Sequence, residues 1–468
     1  MSFDVETYDW PAFQGRKPFA HQKHTVKFVL EHKNCFVLND LGTGKTLSVL
    51  WALDILFKAK RVRKVLVIGP LSTLKIVWLN EMFLNMPHRR GAVAHGNAQI
   101  RRQVLTDPLV EIAIMNHDGI KYEEDAIVRE RPDLIVIDEV TAFKSNSDRT
   151  KCMRRIVKEG RRAGWLKGVW SLTGDLTPES PVDAFFPCHI TVPQNKWLPA
   201  YLGQFRDACL YQVSEFTWIT KPEAPQIVAM CTQPAIRYER NQCLDLPETT
   251  YQMMEAPLSE SQKKWYEEMR KQAYIELEAG EVKAVNAAVK LNKLLQISAG
   301  AVKDSNGDVV ELDCEERLKL LMEIFESTPQ RKLVVFATYR ASIKQIEEYL
   351  TKKGVRVACI HGDVNQNQRA ANIERFQSGD LQVLVLQPQS AAHGITLTAA
   401  STMVWYSLIA SNELYQQGCA RIIRAGQTRK TLIIVFTSTK AEKHVASIVQ
   451  RKGDVSKDIL KLFVDRDL

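Results

Sequence analysis

Asn39-Asp40-Leu41-Gly42-Thr43-Gly44-Lys45-Thr46 follows the apolar run Cys35–Leu38 and opens the helix-forming stretch Leu47–Lys58. A glycine-rich turn between a buried strand and a helix is the context that a phosphate-binding loop requires. Gly42 and Gly44 allow the backbone to approach an anion, while the loop N–H groups and the helix N-terminus present partial positive charge. Leu41, Gly42, Thr43, Gly44, Lys45 and Thr46 are therefore the expected ATP contacts. Lys45 reaches for the β- and γ-phosphates, and the Thr46 hydroxyl is placed to ligate Mg2+. The first position of the usual pattern holds Asn39 instead of glycine.

Outward from this loop, short apolar runs alternate with helical stretches. In the first half they are Cys35–Leu38, Val65–Ile68, Ile112–Met115, Leu134–Ile137 and Val169–Leu172. In the second half they are Leu333–Phe336, Val355–Ile360, Val383–Leu386, Met403–Tyr406 and Leu432–Phe436. Continuous apolar strands separated by helices predict an α/β class with two doubly wound parallel sheets. The boundary is expected near Leu246-Pro247, giving lobes over 1–245 and 246–468. An aromatic- and proline-rich elaboration covers about 185–234. A helical inter-lobe insertion covers about 258–300, from Ser259 as N-cap to Gly280 as stop, then Val282–Ile297.

A second chemical signal is Ile135-Val136-Ile137-Asp138-Glu139, an acidic pair ending an apolar strand, where open α/β sheets bind ligands. Asp138 is expected to join the Mg2+ shell, and Glu139 to orient and deprotonate water. The third is Gln417-Gly418-Cys419-Ala420-Arg421-Ile422-Ile423-Arg424. Placed on a helix, Arg421 and Arg424 share a face and suit phosphate oxygens. Gln417 joins Lys45, Asp138, Glu139 and the two arginines as a catalytic candidate.

Composition narrows the partners. Of 468 residues, 45% are hydrophobic and 25% charged, an ordinary globular balance, and the net charge of +9 (63 − 54) suits a polyanion. No apolar run is long enough to span a bilayer. The opening Met-Ser-Phe-Asp-Val-Glu lacks the basic and apolar regions of a secretory leader, so a cytoplasmic location is expected. The 9 cysteines form no zinc or disulfide pattern and read as buried small hydrophobes. The basic stretch 148–167 reads either as a DNA-facing patch or as a solvated helix face.

The ordered set resembles superfamily 2 helicases and translocases, especially the Swi/Snf-like branch in its short phage or bacterial form. Arg-Lys-Pro-Phe-Ala-His-Gln (16–22) is similar to the adenine-reading segment, with Gln22 as the reader. Gly69-Pro70-Leu71-Ser72-Thr73-Leu74 and Met115-Asn116-His117-Asp118 resemble first-lobe strand-contacting motifs. Phe336-Ala337-Thr338-Tyr339-Arg340, Ile360-His361-Gly362-Asp363 and Ser390 through Leu397 resemble the second-lobe set. The resemblance implies two RecA-like lobes that bind ATP and Mg2+, with the phosphate loop and acidic pair on the first and the arginines on the second. DNA contacts are expected at Ser72, Thr73, Asn116, Arg340, His361, Gly362, Ser390, Gly394 and Thr396.

The implied function is an ATP-dependent DNA translocase or helicase, acting as a monomer on duplex, forked or branched DNA, with single strands also admissible. Fork remodelling and branch migration in replication or recombination are the expected tasks. The alternatives are a nucleotide-gated DNA clamp, an RNA helicase, or the motor half of a defence complex. One departure stands out: Leu172-Thr173-Gly174-Asp175-Leu176 carries Asp-Leu where the family has Thr-Pro. Asp175 is expected to repel phosphates and loosen coupling, so that Asp175→Thr with Leu176→Pro would raise DNA-stimulated ATPase, or else to serve as a hydrogen-bonding switch, in which case the double change would lower activity.

Overall fold

Each central strand alternates side chains between two apolar faces, so it requires helices on both. Two such arrangements form, over residues 1–245 and 246–468. The computed structural model describes residues 5, 7–11, 17–214, 217–239, 243, 247–278, 284–303, 308–328, 330–391, 395–424 and 426–451.

The N-terminal unit contains β1 (Asn34–Val37), β2 (Val65–Gly69), β3 (Gly91–Ala94), β4 (Ile112–Asn116), β5 (Leu134–Asp138) and β6 (Gly168–Leu172). A hairpin of β7 (Leu210–Ser214) and β8 (Thr217–Thr220) then precedes β9 (Ala235–Ile236). The main sheet runs β3-β4-β2-β5-β6-β1-β9, parallel throughout. Phe36, Leu66, Ile68, Ile135 and Ile137 pack on one face, and Cys35, Val37, Val65, Val67 and Val136 on the other.

The C-terminal unit repeats the plan. Here β10 (Thr249–Glu255), the hairpin β11 (Ala301–Lys303) and β12 (Val309–Glu311), β13 (Leu333–Phe336), β14 (Val357–Ile360), β15 (Val383–Leu386), β16 (Thr402–Trp405) and β17 (Thr431–Thr437) follow in order. Its main sheet runs β10-β17-β16-β13-β15-β14, again parallel. The doubly wound α/β class is thus realised in both units.

The insertion forms helices Glu260–Glu278 and Ala284–Ser298. The Ser259 hydroxyl accepts from the Gln262 N–H, as an N-cap does; Gly280 and Val282 lie outside the described residues, as do Leu246 and Arg16. Tyr266, Leu291, Leu294 and Leu295 pack onto the sheet face that carries Val334, Phe336 and Trp405. At the sheet's C-terminal edge Arg317, 2% exposed, spends its guanidinium on the Tyr406 and Ser298 carbonyls, Ser438 Oγ and Glu442 Oε1.

In the N-terminal unit the equivalent anchor is Asp54, fully buried on helix Lys45–Lys58. It accepts from Tyr8 Oη, His88 Nε2, Arg89 Nε and Lys58 Nζ at 2.7–3.0 Å. Burial works to raise its pKa, but those donors outweigh burial and hold it at about 2. A depressed native value means the contribution is full above the unfolded pKa near ~4 and is lost as pH falls toward 2. Asp54→Asn is therefore expected to lower unfolding free energy by about 2 kcal/mol at pH 7. Urea titrations of both proteins should converge as the pH is taken from 5 to about 2.

Candidate functional site

The strand order β5-β6-β1 sets three loops side by side at the sheet's C-terminal edge. They carry Asp138-Glu139, Thr173 and residues 38–44. The phosphate loop turns through Gly42 (φ 84°) and Gly44 (φ 82°), in the left-handed region that favours glycine. A Cβ on Gly44 would lie 2.2 Å from Gln22 Nε2, so this position also makes room for that amide. Gln22 Oε1 accepts from the Phe19 N–H, and the His21 Nε2–H donates to the Thr43 carbonyl at 2.8 Å.

Asn39, the departure from the usual pattern, has a structural use. Its Nδ2 donates to Thr25 Oγ1 at 3.0 Å, and its Oδ1 accepts from the Tyr238 N–H at 3.0 Å. The loop is thereby tied to helix Ala20–Glu31 and to the chain beyond β9. Lys45 Nζ donates to the Asn39 and Asp40 carbonyls at 2.7 and 3.3 Å. Leu41 packs against Gly174 of the neighbouring loop.

Asp138 is buried, and burial together with repulsion from Glu139 raises its pKa, partly offset by Trp78 and Lys45. Trp78 Nε1 donates to its Oδ2 at 2.8 Å, and the His117 Nε2–H donates to its carbonyl at 2.8 Å. Glu139 has φ 51°. Its Oε2 accepts from Thr173 Oγ1 at 3.2 Å. Thr173 also reaches the Asp175 carbonyl at 2.9 Å. Hard oxygen donors in Thr46 and Asp138 fit a small divalent cation, which takes few protein ligands when phosphates complete its shell.

Asp175 does not behave as a buried repulsive charge. It is exposed, and its Oδ1 accepts from the Thr177 N–H at 3.0 Å, closing an Asx-type turn. Leu176 is buried, a member of the core cluster that also holds Ala184 and Phe185. A family-like Thr-Pro pair here would delete a turn acceptor and a buried side chain.

The expected nucleic-acid residues fall into two groups. In the N-terminal unit Ser72 is half-buried and Asn116 ends β4, but Thr73 is buried with its hydroxyl on the Pro70 carbonyl. In the C-terminal unit Arg340, His361, Gly362, Ser390 and Thr396 follow β13, β14 and β15 at one sheet edge. Arg340 is exposed and paired with Asp363, 2.8 Å from Nη2 to Oδ1. Gly394 lies outside the described residues. Arg369 and Gln387, which the sequence reading passed over, knit this edge. Arg369 donates to the His361 and Ser390 carbonyls, while Gln387 links Thr338 to Gly362.

The helix carrying Gln417 is Asn412–Cys419, so Arg421 and Arg424 lie beyond it, not on it. Successive i→i−3 bonds tighten the chain there, Arg421 N–H to Gly418 and Ile422 N–H to Cys419. Both guanidiniums nevertheless converge on the Ile395 carbonyl, at 3.4 and 3.1 Å. Arg421 is buried and also donates to Gln417 O at 2.8 Å; Arg424 is half-buried. Gln417 is buried with its Nε2 on Glu413. The basic stretch 148–167 is largely spent: Arg149, Arg155, Arg162 and Lys167 pair with Asp118, Glu124, Glu159 and Asp133, and Arg161 donates to Thr191 O.

Among the described residues no helix is long and apolar enough to cross a membrane. The DEAD/DEAH box helicase family model matches residues 19–169, and that of the helicase conserved C-terminal domain matches 316–426. An uncharacterized ATP-dependent helicase of Mycoplasma genitalium is 25% identical over 94% of this chain, which spans only 42% of that protein's length. Protein p41 of Acyrthosiphon pisum secondary endosymbiont phage 1 is 22% identical, with 89% of this chain and 92% of that protein covered. The ATP-dependent RNA helicase DBP3 of Candida glabrata is 34% identical over 30% of this chain and 26% of its own. The Sulfolobus solfataricus SWI2/SNF2 ATPase core, solved in complex with dsDNA, aligns over 97% of this chain and 94% of that one at 19% identity and TM-score 0.45.

Arg421→Ala takes the buried guanidinium from the Gln417 carbonyl, while the Ile395 carbonyl keeps Arg424, and is expected to cost about 1–2 kcal/mol, roughly 2–8 °C in Tm, whereas the half-buried Arg424→Ala costs under about half of that. The Asp175→Thr, Leu176→Pro double substitution is expected to lower Tm, not raise it. Thermal melts of the three variants beside the parent check both.

Proposed function

The chain belongs to the superfamily 2 helicases, and from that membership we propose an ATP-driven motor that tracks the DNA phosphate backbone, of the Swi/Snf-like kind. The observation that carries the nucleotide half is the preset loop. Two left-handed glycines open it, and Lys45 is already aimed at its centre through the Asn39 and Asp40 carbonyls. An arriving β/γ-phosphate exchanges those carbonyl partners for phosphate oxygens without moving the lysine far. Gln22, beside Gly44, reads the adenine edge by exchanging its bonds to the Phe19 N–H and the Thr43 carbonyl. Leu41 and Thr43 shape the loop wall.

Glu139 orients and deprotonates the attacking water. The Thr173 hydroxyl lies within reach of both Glu139 Oε2 and the Asp175 carbonyl, and its single proton passes between them, so this side chain is the link from the base to the following loop. Thr46 and Asp138 would hold Mg2+, which neutralises charge on the β- and γ-oxygens when bound. Arg424 supplies charge to the transferred phosphate, and Arg421 acts as its support, with Gln417 bracing the same turn. Ser72 and Asn116 on one unit, and Arg340, His361, Gly362, Ser390, Gly394 and Thr396 on the other, grip the backbone. The substrates proposed are duplex, forked and branched DNA, worked on by a cytoplasmic monomer in replication or recombination.

Lys45→Ala is expected to lose ATP binding and hydrolysis together, whereas Glu139→Gln keeps binding and loses turnover. A filter-binding assay beside steady-state ATPase separates the two. Near-parental turnover in either variant would remove the assignment.

An RNA substrate is the second reading, favoured by the segment shared with the DBP3 helicase. ATPase stimulation by single-stranded, duplex, forked and four-way DNA and by RNA decides between them, DNA being expected to stimulate more. Affinity is expected to be blind to sequence and to fall with log[salt] at a slope of roughly −3.5, as for about five neutralised phosphates on one strand. A flat salt response would exclude phosphate tracking.

A further inference from the structure

The turn expected to touch DNA and the carboxylate expected to hold the metal are joined by one side chain. Residues Leu74–Leu79 form a π-helix, a form seen mostly as single turns and often at functional sites. Its wide turn carries the Trp78 N–H back to the Thr73 carbonyl at 3.0 Å, five residues away. The same residue's indole N–H donates to Asp138 Oδ2 at 2.8 Å. Trp78 is fully buried, so no water competes for either bond. Gly69, which opens the turn, neighbours Asp138: an added Cβ would sit at ordinary contact distance, 3.4 Å, from the Asp138 Cβ.

We propose that Trp78 is a positioning residue: it fixes one oxygen of Asp138 and transmits displacement of the 70–73 turn by DNA to that carboxylate. This inference rests on the motor reading above and names how the two halves of that motor are linked within one unit. The indole holds Oδ2, the Glu139 backbone N–H is a further donor to the carboxylate, and a cation takes the lone pairs that these two leave. A regular α-helix would not serve in the same way, since its i→i−4 bond would shift the indole around the axis by about 100° per residue. The inserted residue of the π-turn is what allows Trp78 to bond Thr73 and face β5 at once.

The test uses the full chain with a fluorescent non-hydrolysable ATP analogue, titrated with Mg2+ in the absence and presence of duplex DNA. Trp78→Phe deletes a hydrogen bond to a charged group, and the Mg2+ midpoint for nucleotide binding is expected to rise roughly 10–100-fold. Nucleotide binding measured in EDTA should stay as in the parent. In the parent, DNA should shift the Mg2+ midpoint; in Trp78→Phe that shift should disappear.

Trp51→Phe is the packing control. Trp51 is buried in the same core cluster, and its Nε1 has no hydrogen-bond partner among the described residues. It should reproduce any loss of Tm without moving the Mg2+ midpoint. Trp78→benzothienylalanine, which keeps the ring shape and lacks the N–H, covers the case in which phenylalanine leaves a cavity too large to fold around. An unchanged Mg2+ midpoint in both Trp78 variants, or a DNA response that survives in them, overturns the proposal. A parent protein whose Mg2+ midpoint ignores DNA overturns it as well. Failure of the parent to hydrolyse ATP on any nucleic acid overturns the motor reading instead, since the binding titration requires no turnover.

Discussion

A carboxylate buried at a strand end needs hydrogen-bond donors, because without them its charge is too costly to keep. Asp138 is in that position, with Glu139 beside it adding repulsion. The surrounding segments are arranged around this need. Trp78 supplies the carboxylate, His117 supplies the carbonyl, and Thr173 steadies Glu139. Each donor comes from a different loop at one sheet edge, so the acidic pair is where the geometry of that edge is fixed. The order β5-β6-β1 makes this possible, since Thr173 can only lie between the acids and the phosphate loop if β6 lies between their strands.

Each unit also contains a charged group with its donors or acceptors matched. Asp54 ties the first helix after the phosphate loop to Tyr8 and to the His88-Arg89 turn. Arg317 ties the end of the inserted helices, at Ser298, to the ends of β16 and β17. Removing one partner of such a pair is far more damaging than the pair's net worth, since the survivor stays buried and unpaired. These contacts therefore fix which elements belong together more than they add stability.

The phosphate loop and acidic pair were legible in the sequence because their chemistry and spacing are local. Strand, glycines, lysine and helix follow one another within a dozen or so residues. The sheet cores were legible for the same reason, as continuous apolar runs. The edge strands were not. β3 is Gly-Ala-Val-Ala, too small to stand out, and β10 is mostly exposed and polar along its length. The helix expected under Arg421 and Arg424 ends at Cys419, because periodicity alone cannot distinguish an α-turn from the tighter turns that follow it. Their shared direction survives through the Ile395 carbonyl, a partner far away in sequence. Trp78 carried no separable signal either, since its meaning depends on a π-turn and on a strand sixty residues later.

Asn39 and Asp175 show opposite outcomes of departing from a family pattern. Glycine at position 39 would offer only backbone freedom, whereas asparagine adds two bonds, to Thr25 and to the Tyr238 N–H. Those bonds restrain the loop from both sides, so the conformational entropy that a nucleotide must remove on binding is already reduced. At position 175 the acid stays in solvent, and its turn bond to Thr177 replaces the stiffness that a proline would have imposed. Leu176 then anchors the segment from inside the core. Both substitutions exchange an intrinsic backbone property for side-chain contacts. A loop restrained by contacts can be released by moving the neighbour that makes them, and for 173–177 that neighbour is Glu139, through Thr173. Asp175 and Leu176 thus hold the segment by a turn bond and a buried side chain, while Thr173, which does not depart from the pattern, is its link to Glu139.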